Sequence, residues 1–80
     1  MSTSVVRLDP HAVDVVVDAF ALYFILADGR EISAPLEWFP QLRDASPEQR
    51  QKWRLIGKGI GVNWPEIDED IAVSKLMRNH

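Results

Sequence analysis

The chain has 80 residues, 46% hydrophobic and 26% charged, with a formal net charge of −3 and no cysteine. That size supports a single hydrophobic core, and the balance is that of a folding chain, not a disordered, collagenous or coiled-coil one. Disulfides, thiolate metal sites and cysteine nucleophiles are excluded, and the acidic balance opposes non-specific attraction to phosphate backbones or anionic lipid.

One domain is therefore expected over residues 1–80, with residues 1–11 a loosely ordered N-terminus. The opening residues show no basic stretch followed by an apolar one, so no secretory signal is read. The longest apolar run, Ala19 to Ala27, is far short of the ~20 residues of a spanning helix, and a cytoplasmic protein is expected. A core this small leaves a thin stability margin, which makes a homodimer compatible with the chain.

In chain order, Val13, Val15 and Val17 alternate with Asp14, Val16 and Asp18, the period of a first strand with the three odd-numbered valines inward. Leu22 to Leu26 is apolar on both faces and predicts a central strand covered on two sides. Asp28-Gly29 predicts a two-residue type I′ turn, and Arg30 to Ala34 a third strand with Ile32 and Ala34 inward, ended by Pro35. Pro35 to Pro40 is bounded by two prolines and leaves room for one turn of helix.

Ser46-Pro47-Glu48-Gln49 carries a capping box: Ser46 as N-cap, Pro47 at N1, Gln49 at N3 reaching back. The main helix is predicted from there to about Ile56, with Trp53 and Ile56 on one face, a Glu48–Lys52 pair, and Gly57 as the left-handed stop. Ile60, Val62 and Trp64 alternate with Gly61 and Asn63, predicting a fourth strand of the same sheet, ended by Pro65. Asp68, Glu69 and Asp70 then stand before a short C-terminal helix, Ile71 to Arg78, with Lys75 and Arg78 near its end. Together these elements predict an α+β fold: a small antiparallel sheet, a three-strand meander plus a fourth strand, packed with one main helix and a short C-terminal helix.

No segment carries a catalytic, cofactor or metal signature. Gly57-Lys58-Gly59-Ile60-Gly61 could present bare amides and a lysine to an oxyanion, but its spacing is not that of a P-loop or a dinucleotide fingerprint; it reads as a helix stop and tight turn. Four carboxylates between Glu66 and Asp70 could hold a hard cation, yet lack the glycine and closing glutamate of a calcium loop, and read as capping and a solvated turn. His11 and His80 have no ligand or triad spacing and read as surface residues. Five of nine basic residues, Arg43, Arg50, Lys52, Arg54 and Lys58, surround Trp53. A solvated helix face is the preferred reading, and a nucleic-acid surface the alternative. Trp38, Phe39, Trp53 and Trp64 read first as core; any left exposed beside the basic helix would anchor a partner.

Several segments resemble, in order and spacing, a family of short bacterial proteins called domain of unknown function 2442. They are Asp28-Gly29-Arg30, Pro35-Leu36-x-Trp38-Phe39-Pro40-x-Leu42, Ser46-Pro47-Glu48-Gln49-Arg50, and above all Trp53-x-Leu55-Ile56-Gly57-x-Gly59-x-Gly61-x-x-Trp64-Pro65-x-Ile67-Asp68-Glu69-Asp70-Ile71. The likeness runs from about Leu22 to Leu76; before Leu22 nothing specific matches. It implies an α+β fold with a small antiparallel sheet and no activity. Some members look like the antitoxin half of bacterial toxin–antitoxin pairs, being encoded beside a second small family of unknown function. The combined expectation is a non-catalytic protein-interaction module, antitoxin-like, that binds a small protein partner through Arg50, Trp53, Arg54, Trp38 and Trp64, without cofactor or membrane. The alternative is a weak nucleic-acid-binding or autoregulatory protein using the basic helix.

Overall fold

In the computed structural model, residues 9–78 are described. They form two antiparallel three-stranded sheets and three short helices. The expectation for the N-terminus concerns mainly residues 1–8, which lie outside the described residues, as does His80.

The first sheet is a meander of β1 (Ala12–Val17), β2 (Ala21–Leu26) and β3 (Glu31–Pro35), in the order β1-β2-β3. Its inner face is built in cross-strand rows, Val17–Leu22–Ala34 and Val15–Phe24–Ile32, all buried. β2 is central, as its composition predicts, but only one of its faces is closed: Leu22, Phe24 and Leu26 are buried while Ala21, Tyr23 and Ile25 are half-buried. Val13 does not point inward as the alternation predicts. The pairing of β1 with β2 shifts between Ala12 and Asp14, so Val13 is the extra residue of a bulge and is 53% exposed, while Ala12 takes the buried place.

β1 and β2 are joined through Asp18, whose carboxylate accepts the N–H groups of Phe20 and Ala21, each at 2.7 Å. Those two bonds hold the Asp18 carboxyl below its ordinary range. The β2–β3 turn is not the two-residue type I′ form. Only Gly29 has a positive φ, 92°, and Gly29 N–H donates to the Leu26 carbonyl, which makes a three-residue loop with glycine in the left-handed place. Asp28 is free at negative φ to act as an acceptor hub: its carboxylate takes the N–H of Asp9 (2.7 Å), the N–H of Arg30 (3.0 Å) and Nε of Arg30 (2.9 Å). The side-chain bond from Arg30 is the chief reason its pKa falls to about 2.

Leu36–Trp38 form a single 3-10 turn, and α1 (Pro40–Arg43) adds one turn of α-helix that the sequence pattern does not show. The capping box is present as read: Gln49 N–H donates to Ser46 Oγ at 3.1 Å, and Ser46 N–H to Gln49 Oε1 at 3.0 Å. The helix it starts, α2, spans only Pro47–Arg50, so there is no main helix. Its stop has a visible cause. The Arg50 carbonyl, which a continuing helix would give to the N–H of Arg54, instead accepts the indole N–H of Trp64 at 3.1 Å.

Arg54–Ile56 is a strand, β4, and with β5 (Gly61–Trp64) and β6 (Glu69–Ala72) it makes the second sheet, in the order β4-β5-β6. The fourth strand therefore joins a separate sheet, not the first one. Gly57, read as a helix stop, lies in the β4–β5 turn with Lys58; both have positive φ, 55° and 62°, and Gly59 N–H closes the turn on the Ile56 carbonyl. Ile60, placed by the alternation in the fourth strand, falls just before β5 and is 57% exposed; Val62 and Trp64 are in the strand and buried. Pro65 ends β5 and opens a 3-10 turn to Ile67, and Asp68 in a left-handed conformation turns the chain into β6. Glu66 and Asp68 thus lie in the turn before β6 and Glu69 and Asp70 within it, and the terminal helix α3 begins later, at Val73–Arg78.

The two sheets meet where Ala12 N–H donates to the Gly59 carbonyl at 2.7 Å, and α3 packs on β3 and β6. Trp64, Ile71, Val73 and Leu76 share one core with Phe24, Leu36, Phe39 and Leu42.

Candidate interaction surface

The five residues expected to bind a partner do not form one patch. Trp64 is fully buried and its indole caps α2, so it faces no partner. Arg50 is half-buried and spends its guanidinium on the chain itself, Nε donating to the Leu42 carbonyl at 3.2 Å and Nη2 to that of Arg43 at 2.6 Å. It closes the end of α1 as a cation at a helix C-terminus does. Trp53 is half-buried and packs against the core. Trp38 (47% exposed) and Arg54 remain on the surface, on different elements.

The basic stretch from Arg43 to Lys58 is not a helix face either. Arg43 pairs with Asp44 (3.0 Å) and Glu37 (3.3 Å), and its pKa is raised chiefly by the hydrogen bond to Asp44. Lys52 bonds to Glu66 at 3.0 Å, in place of the Glu48 pair a helix would give. Among the described residues no three His, Asp or Glu side chains gather as metal ligands, and no helix is long and apolar enough to cross a membrane.

Sequence reasoning missed the second sheet's open side. Among the described residues β4 pairs on one side only, with β5, through Arg54↔Asn63, Leu55↔Val62 and Ile56↔Gly61, and all three of its residues are exposed. Successive side chains of a strand alternate between faces. The core-side row runs Ile71–Val62–Leu55, with exposures of 1%, 0% and 38%: an apolar row that is closed at β6 and open at β4. The outer row runs Asp70–Asn63–Arg54 as a polar ladder, with Arg54 Nε donating to Asn63 Oδ1 at 3.0 Å and Asn63 Nδ2 to the Asp70 carboxylate. Ile56 (37%) and Ile60 (57%) extend the exposed apolar surface around the turn, where a Cβ on Gly57 would lie 2.9 Å from Ile60 Cδ1. The signal for this hairpin was present in Leu55-Ile56 and Ile60-Gly61-Val62 on either side of Gly57-Lys58-Gly59.

A second exposed group lies on the first sheet. Phe20 is 82% exposed in the β1–β2 turn, and its carbonyl accepts the N–H of Leu36, two residues before Trp38. Val13 and Val16 (48%) are exposed on β1.

The fold is similar to that of a protein of unknown function from Rhodospirillum rubrum ATCC 11170, known from a crystal structure. The TM-score is 0.73 at 24% identity, over 85% of this chain and 84% of that one. Among curated proteins none matches the chain. The sequence model of the family described as "Protein of unknown function (DUF2442)" matches residues 12–80, which takes in all six strands and all three helices. On that match, the chain belongs to the DUF2442 family.

Proposed function

We propose that this protein is a non-catalytic interaction module that binds a small protein partner, in the manner of an antitoxin. The observation that carries the reading is the apolar surface at β4. Leu55 and Ile56 stay exposed on a strand that has no second partner among the described residues, and Ile60 in the turn that follows, although the core already contains sixteen buried apolar residues and no polar or charged residue among those described. Apolar side chains left exposed at a sheet edge favour docking of another chain over chemistry on a small molecule. Trp38 and Phe20 add two exposed aromatic side chains of the kind that anchor interfaces.

The test is co-expression with the product of the neighbouring gene, followed by affinity capture. The reading expects stoichiometric co-purification, and relief of any growth arrest the partner causes. A partner that neither co-purifies nor is neutralised refutes it.

A further inference from the structure

We propose that the free edge of β4 accepts an extended segment of the partner as a fourth strand of the second sheet, and that this segment alternates apolar with acidic residues. The inference rests on the interaction reading above and specifies its chemistry.

Two rows of side chains end at that edge, and each asks for a different neighbour. On the core side, Ile71–Val62–Leu55 stops at a leucine that is 38% exposed, so an apolar residue added beside Leu55 would continue the row and remove it from water. On the outer side, Asp70–Asn63–Arg54 stops at a cation, so a carboxylate added beside Arg54 would continue the polar ladder. Because side chains alternate along a strand, the two requirements fall on successive residues of the incoming segment.

Charge around the edge points the same way. Between Gln49 and Pro65 the chain has Arg50, Lys52, Arg54 and Lys58 and no carboxylate, in a molecule whose net charge is −3. Arg50 is committed to the carbonyls of Leu42 and Arg43, and Lys52 to Glu66; Arg54 lies on the strand, its Nε on Asn63, and Lys58 in the turn that follows it. Cations on a short edge strand oppose pairing with a second copy, since two β4 strands would bring like charges together. The same cations select an acidic segment.

The probe is a blocked eight-residue peptide of alternating valine and glutamate, titrated into the intact protein and followed by backbone amide chemical shifts. A valine–lysine peptide of the same length is the control. The expected result is shifts centred on Arg54, Leu55 and Ile56, affinity at least tenfold higher for the glutamate peptide, and a weakening with added salt. The double variant R54E/K58E should reverse the preference. The inference is overturned if neither peptide binds, if both bind equally, if the shifts map to β1 or β3, or if β4 amides shift with protein concentration alone. The charge swap on the peptide needs no variant to fold. The two readings part in the capture experiment. A wild-type protein that retains no partner ends the interaction reading, whereas an R54E/K58E protein that retains it as well as wild type ends only the β4 assignment.

Discussion

Replacing Gly59 by alanine tests the junction between the two sheets. Gly59 has φ 103°, and a Cβ there would run into the Ala12 carbonyl oxygen and lie 2.8 Å from the Ala12 nitrogen, both backbone atoms that cannot rotate away. Alanine at such a φ costs about 1–2 kcal/mol by itself. Moving Ala12 aside weakens its 2.7 Å hydrogen bond to the Gly59 carbonyl, about 1 kcal/mol, and strains the packing by about 1–3 kcal/mol more. The expected loss is about 3–6 kcal/mol, against a total of about 4–12 kcal/mol for a domain of this size. Gly29→Ala is the matched control: its φ is 92°, but nothing lies within 4 Å of its added Cβ, so about 1–2 kcal/mol is expected. Urea unfolding followed by tryptophan fluorescence measures both. If the two variants lose stability to within about 0.5 kcal/mol of each other, the close approach of Gly59 to Ala12 is wrong.

Three further outcomes follow from the core and the turns. Trp64→Phe keeps an aromatic ring but leaves the Arg50 carbonyl without its 3.1 Å donor, and should cost about 2–3 kcal/mol in the same urea assay. Ser46→Ala removes one half of the capping box and should cost about 1 kcal/mol. Asp28 has its pKa lowered from 3.8 to about 2 on folding, so its contribution is complete above about pH 4 and is lost as pH falls toward about 2. Asp28→Asn should therefore lose less stability than wild type over that acid window, and parallel acid titrations of the two proteins followed by circular dichroism would show it. Equal acid sensitivity would mean the Asp9 and Arg30 bonds do not hold that carboxylate.

The first sheet was legible because its strands are neighbours in sequence and its inner rows follow the alternation of Leu22, Phe24 and Leu26 with Ile32 and Ala34. The bulge at Val13 left no trace, since one extra residue in a valine-rich strand changes no composition. The capping box at Ser46 was read correctly, but it fixes where a helix starts and not how far it goes. The stop depends on Trp64, fourteen residues on, taking the Arg50 carbonyl. Local cues then misled in series: Gly57 suits a helix stop as well as a hairpin turn, and Asp68 to Asp70 suit a helix start as well as a tight corner. β6 buries only Ile71 of its four residues, too little for a period-2 pattern to show. For the surface, tryptophan and arginine content pointed to Arg50 and Trp64, which turned out to hold the fold together. The open edge at β4 was hidden because a free edge is a property of the sheet and not of any residue in it.

Each sheet joins strands adjacent in the chain, so either meander closes only short loops, which favours quick formation. The bond from Ala12 to Gly59 spans the whole interval between them and forms only when both meanders are in place. The Ala12 amide proton is thus a natural reporter of docking in hydrogen exchange: in a state where the sheets persist but have parted, it would exchange while the amides inside β2 and β5 stay protected.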